Sequence, residues 1–184
     1  MFRSLPLDGA WLITPKRNLD ERGYFDQLYC KKEFAQHGLV SEFTSVGVSH
    51  NNVRGTVRGL HFQRPPVEQA KLIRVTHGAI KDVIIDLRPN SPTFMQHVLL
   101  ALRDQEWTML YVPPGFGHGF QTLTDQTKVE YHIAGEYVPE LADGYRWDDP
   151  AFDIWMPLPV TMISERDRTY PDFDLTLHKQ RFST

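Results

Sequence analysis

The residues best suited to chemistry crowd into one stretch, Val57–Lys71, which reads V-R-G-L-H-F-Q-R-P-P-V-E-Q-A-K. Arg58, His61, Glu68 and Lys71 fall inside it, with apolar residues and prolines between them. Imidazole titrates near neutrality, so His61 suits proton transfer. Arg58 and Lys71 are cations set against apolar surface, which suits a small anionic ligand. The plainer reading of His61 is a hydrogen-bonded core histidine. Two further groups stand out downstream. His118 lies in P-P-G-F-G-H, a run that predicts a loop presenting the imidazole. Asp167 closes S-E-R-D, where it is either the third residue of a helix capped by Ser164 or a carboxylate that orients a histidine.

These groups need strands to position them, because side chains alternate across a strand. In Val57–Gln63 one face carries Val57, Gly59, His61 and Gln63. Lys71 shares its face with Ile73 and Val75. Tyr131 shares its face with Val129 and Ile133, opposite the polar Lys128, Glu130 and His132. Parity therefore permits His61, Lys71 and Tyr131 to meet inside a barrel. An inward lysine asks for an anionic or electron-rich partner, unless it snorkels to the rim. A metal site would use His61, Glu68 and His118. The close His-x-His pair common on small β-barrels is absent, because Gln63 follows His61 by two.

Thirteen prolines and twelve glycines cut the 184 residues into short segments, which favours strands. Strands are predicted at Gly9–Thr14, Phe43–Ser49, Thr56–Gln63, Lys71–Thr76, Ile80–Leu87, Gln96–Leu102, Trp107–Val112 and Lys128–Ile133. Asp20–Phe25 reads as a charged turn opening into an aromatic strand, and His50–Gly55 as a turn. Lys31–His37 is the best helix, stopped by Gly38. The chain becomes irregular after Pro139, and the tail from Lys179 reads as unstructured. An all-β sandwich or barrel follows, in a single domain. About 1–50 form an N-terminal arm and strands, about 51–140 the barrel core, and about 141–184 a C-terminal segment.

A net charge of −3 gives no reason to expect nucleic acid or a membrane surface as partner. No run approaches the roughly 18 apolar residues of a membrane helix, and no signal peptide is evident. A single cysteine, Cys30, fits a reducing cytoplasm. The expectation is a soluble, cytoplasmic protein.

Five segments then carry a resemblance. R-G-L-H-F-Q (Arg58–Gln63), A-K-L-I-R-V (Ala70–Val75), D-V-I-I-D-L-R-P-N-S-P-T-F (Asp82–Phe94), Y-V-P-P-G-F-G-H-G-F (Tyr111–Phe120) and I-S-E-R-D (Ile163–Asp167) resemble the dTDP-4-dehydrorhamnose 3,5-epimerase family. They occur in family order between about Gly9 and Phe173. The resemblance implies a cupin-type double-stranded β-helix (jelly roll) with short peripheral helices. It also implies a homodimer, no metal, no cofactor, and a nucleotide-linked 4-keto-6-deoxyhexose as substrate. By the same resemblance His61 is the base, Asp167 its carboxylate partner, Tyr131 the acid and Lys71 a catalytic cation. Arg58, Gln63, His118 and Tyr137 contact substrate, and Arg22 and Phe25 belong to an arm that helps hold the nucleotide.

The chain also departs from the family. Gln27 stands where a glutamate is common, and Ser45 and Gly47 precede Ser49 where glutamine and asparagine are common. The nucleotide, the sugar and the number of carbons inverted stay open on this reading. So do two other classes, a metal-dependent cupin and a non-catalytic sugar-nucleotide binding module.

Overall fold

A computed structural model describes residues 1–183. In chain order the strands are β1 (Phe2–Ser4), β2 (Trp11–Ile13), β3 (Arg17–Asp20), β4 (Gly23–Asp26), β5 (Ser45–Asn51), β6 (Val57–Gln63), β7 (Ala70–His77), β8 (Ala79–Asp86), β9 (His97–Arg103), β10 (Met109–Val112), β11 (Phe116–Thr122), β12 (Thr127–Ala134) and β13 (Ala142–Gly144). The helices are α1 (Lys31–Gln36), α2 (Glu165–Arg168) and α3 (Leu175–Arg181). A six-stranded sheet runs β1-β2-β10-β7-β12-β5 and a five-stranded sheet β13-β6-β11-β8-β9. Every pairing within them is antiparallel. β3 and β4 form a separate hairpin, the arm. This is the cupin-type jelly roll that the resemblance implied.

The sheets enclose an apolar interior in which Ile73 and Val129 of one meet Ile84 and Phe120 of the other. β8 explains its own sequence. Ile80 and Ile84 face this interior, while Val83 and Ile85 join a second cluster with Leu60, Tyr145 and Phe152. Both faces are covered, so the strand reads as a continuous apolar run instead of alternating. Phe34 of α1 is buried in a third cluster, with Leu72 and Tyr111, on the outer face of the six-stranded sheet.

Three expectations are corrected. The predicted loop around His118 is the strand β11, flanked by β6 and β8. Gly117 and Gly119, which made the segment look like a loop, let it lie close to its neighbours. A Cβ on Gly119 would come within 2.8 Å of the Arg58 carbonyl oxygen. The tail is ordered further than its polarity suggested. α3 is capped by the Asp174 side chain, which accepts from the Leu177 N–H, and it runs to Arg181. Its anchor is a fully buried polar residue, His178, which an apolar count cannot register. Finally, β5 extends to Asn51, so the turn before β6 starts later than His50.

Candidate active site

β6 and β11 lie side by side, with His61 directly opposite His118. Beyond that pair the register slips, so that four residues of β6, Arg58 to His61, span three of β11, His118 to Phe120. Such a bulge turns one extra side chain to the same side. Arg58 and His61 consequently line one cavity, although strict alternation would have put them on opposite faces. Gly59 makes the bulge possible. Its φ is +97°, and any Cβ would lie 2.5 Å from the His118 carbonyl oxygen.

The facing sheet supplies Lys71 from β7 and Tyr131 from β12, diagonal neighbours because Tyr131 pairs with Ile73 and Ile133 with Lys71. His61, Lys71, His118, Tyr131 and Arg58 share a cavity of about 300 Å3, with Tyr137 at its edge. A cavity of about 470 Å3 adjoins it on the Asp167 side of His61, and one of about 190 Å3 is lined by His61, Gln63 and Tyr137.

The His61 side chain is 42% exposed, and its Nε2 lies 2.7 Å from Asp167 Oδ1. Asp167 Oδ2 accepts from the Gly59 N–H at 3.0 Å, and Ser164 Oγ accepts from the Asp167 N–H. Ser164 thus caps α2 as expected, while the Asp167 carboxylate is turned onto His61. Burial opposes ionisation of Asp167, but the bonds from His61, Gly59 and Ser164 outweigh it and hold the carboxyl below its usual range. An ionised Asp167 takes the Nε2 proton of neutral His61 as a hydrogen bond, which leaves the free lone pair on Nδ1.

Behind this dyad lies a second pair, His118 Nε2 with Asp82 Oδ2 at 2.9 Å, both residues buried. Burial pushes Asp82 up and His118 down, each against its partner's attraction. Asp82 Oδ1 is buried with no hydrogen-bond partner among the described residues. Lys71 donates from Nζ to the His61 carbonyl at 3.2 Å. Burial lowers its pKa to about 8, against the upward pull of Asp82. Tyr131 stands edge-on to His118, and burial, reinforced by Asp82, drives its phenol pKa up so that it holds its proton.

Other expected site residues divide into two groups. Arg58 donates to Asn51 Oδ1 at 2.7 Å and meets no carboxylate among the described residues. His118, Tyr137 and Gln63 line the cavities around His61. Arg22 and Phe25 do not. They sit on the arm, 84% exposed at the Arg22 side chain, paired with Asp20, and 70% exposed at Phe25. Of the departures, Ser49 lines the Tyr131 cavity and Gly47 lies opposite Tyr131, where a Cβ would meet open space.

The sequence reading missed Asp82, Asn51 and Arg166. Asp82 had a signal, a charge inside the apolar run of β8. Asn51 was hidden in a predicted turn. Arg166 lines cavities on both sides of His61 and donates to the Ala142 carbonyl. Glu68 lines none of these cavities, and among the described residues no three His, Cys, Asp or Glu side chains are placed to hold a metal ion.

Comparison with known proteins bears on this arrangement. The sequence profile of the dTDP-4-dehydrorhamnose 3,5-epimerase family matches residues 4–174. A protein of that name from Methanothermobacter thermautotrophicus is 41% identical over 172 residues, covering 92% of each chain. A crystal structure of such an epimerase from Bacillus anthracis, with TDP and pyrophosphate bound, superposes with a TM-score of 0.89 at 38% identity. It covers 94% of this chain and 99% of the other. The 3,5-epimerase of Legionella pneumophila, solved with dTDP-4-keto-L-rhamnose, superposes at 0.84 with 31% identity over 91% of this chain and 89% of its own. The chain belongs to the dTDP-4-dehydrorhamnose 3,5-epimerase family.

Proposed function

We propose that this protein epimerises a dTDP-linked 4-keto-6-deoxyhexose at C3 and C5, each by proton removal from one face and return to the other. The observation that carries the reading is one cavity with a carboxylate-oriented imidazole from one sheet and a protonated phenol and an ammonium from the other. Protons on C3 and C5 are acidified by the C4 ketone. His61 Nδ1 takes one, and the electron pair moves into an enolate whose oxygen carries the charge. Lys71 stabilises that oxygen, and in a partly dry cavity a single cation counts for more than in water. Tyr131 then donates its proton to the carbon from the opposite face. An enolate carbon is a far stronger base than a phenolate, so a raised phenol pKa does not block the transfer. The phenolate regains a proton and His61 loses one to solvent, so the net change is inversion alone.

Arg58, with no competing carboxylate, is suited to the diphosphate. The relatives' bound dTDP and dTDP-sugar support a thymidine nucleotide as the handle by which the substrate is held. Arg22 and Phe25 line none of the three cavities around His61 in their own chain, which fits an arm that reaches the nucleotide of a second copy. That supports a homodimer with arms exchanged between sites. Among the described residues no helix is long and apolar enough to cross a membrane. The direct test is product analysis by NMR after incubation with dTDP-4-keto-6-deoxyglucose. Inversion at both carbons is expected, and an unchanged sugar would overturn the reading.

A further inference from the structure

Gln63 ends β6 two residues beyond His61 and is only 4% exposed. A buried amide needs its donors and acceptor matched. All the partners of Gln63 are backbone. Its Nε2 donates to the Val67 carbonyl, and to the Glu136 carbonyl at 2.8 Å. Its Oε1 accepts from the Val138 N–H at 2.9 Å. Val67 belongs to the loop between β6 and β7. Glu136 and Val138 flank Tyr137, just after β12.

Tyr137 is 63% exposed, so packing does little to fix it, yet it lines both the Tyr131 cavity and the smaller one behind His61. Its backbone is held from three directions. Gln63 grips the carbonyl before it and the amide after it. Gln69 Nε2 also donates to the Glu136 carbonyl, at 3.2 Å. Gly135, with φ +96°, brings the segment so close to the 67–69 loop that a Cβ would lie 2.9 Å from the Glu68 carbonyl oxygen. The two rims of the cleft are thereby tied together through one buried side chain on the strand that carries His61.

We propose that Gln63 is a positioning residue: its amide fixes the turn that presents Tyr137 over the cleft, and so sets affinity for the nucleotide without touching substrate. The inference rests on the nucleotide-sugar reading of the cleft and refines it. It separates two roles that share β6, proton transfer at His61 and closure at Gln63.

The test is a double-mutant cycle read by titration calorimetry with dTDP, alongside steady-state kinetics. Gln63→Met removes the three bonds at similar length, Gln63→Asn keeps the amide on a side chain one methylene shorter, and Tyr137→Ala alters an exposed residue. Gln63→Met and Tyr137→Ala should each weaken dTDP about tenfold and raise KM in step, with kcat at saturation held within about twofold. The double variant should bind no more weakly than Tyr137→Ala alone. Gln63→Asn, which retains the amide's donors and acceptor, should fall between wild type and Gln63→Met, which guards against misfolding of the methionine variant. Additive losses, or a fall in kcat with unchanged KM, would overturn the proposal, because Gln63 would then act on substrate directly. dTDP binding needs no turnover. A wild type that binds dTDP but inverts no sugar would sink the functional reading while leaving this cycle to be read.

Discussion

At the scale of single residues, the account turns on how burial sorts the proton carriers. His61 is half-exposed and pairs through Nε2 alone, while Asp167 spends one oxygen on that nitrogen and its second on the Gly59 N–H. Lys71 is the group whose charge is most easily lost. Its pKa is lowered to about 8 by burial, so it is an ammonium below that pH and neutral above it. If the ammonium stabilises the enolate, kcat/KM falls as pH rises through about 8. Lys71→Arg should move that alkaline limb upward, since a guanidinium stays charged far above the lysine range, even if its shape costs activity. A pH profile of kcat/KM for both proteins checks this. A wild-type rate that is flat to well above that pH would remove Lys71 from the charge-stabilising role.

At the scale of elements, the strands that carry the site were legible and the devices that join them were not. Alternation identified β7 and β12 and the inward faces of Lys71 and Tyr131, because those strands are regular. It failed at Arg58, because a bulge is an insertion in register that only the partner strand reveals. It failed at His118 because glycine marks both a turn and a close-packed strand, and only the neighbours decide. The C-terminal segment had an indirect signal. The two-sided apolar run of β8 requires a cover, and Tyr145 and Phe152 provide it.

α3 is latched to that cover by His178, whose Nδ1 accepts from the Tyr145 hydroxyl at 2.8 Å. Its Nε2 donates to the Leu87 carbonyl at 2.6 Å. Burial lowers the His178 pKa, with the Leu87 bond opposing, so the folded protein prefers the neutral ring. The unfolded chain therefore takes up that proton first as pH falls. The contribution of His178 is fully present above the ordinary value of about 6.5 and is lost as pH drops toward the folded pKa. His178→Phe should cost about 2–4 kcal/mol at neutral pH by leaving Leu87 and Tyr145 unpaired, and should flatten this part of the pH dependence. Urea unfolding of both proteins at neutral pH and at about pH 5 measures it. Equal pH slopes in the two proteins would show that the latch is not the titrating group.

At the scale of the whole molecule, two sheets divide the labour. The five-stranded sheet brings His61 and His118, the six-stranded sheet Lys71 and Tyr131, and these side chains line one cavity; in the proposed mechanism the sugar ring lies there with a proton carrier on each face. The proposed arm exchange between two copies is tested at this scale. In a symmetric dimer with exchanged arms, Arg22→Ala and His61→Ala should each remove activity, the first by raising KM. Mixed after co-expression, they should restore about a quarter of wild-type activity, through the one site per mixed dimer that has an intact His61 and an intact arm. No recovery would place the arm in its own subunit's site.

In the proposed mechanism His61 and Tyr131 act on opposite faces of one enolate. NMR of dTDP-4-keto-6-deoxyglucose in D2O tests it most directly, following deuterium entry and configuration at C3 and C5 separately. The account predicts label and inversion at both carbons for the wild type. It predicts neither for His61→Ala, and label with inversion slowed by about 10²-fold or more for Tyr131→Phe. Inversion at the wild-type rate by Tyr131→Phe, or label entering with His61→Ala, would contradict it.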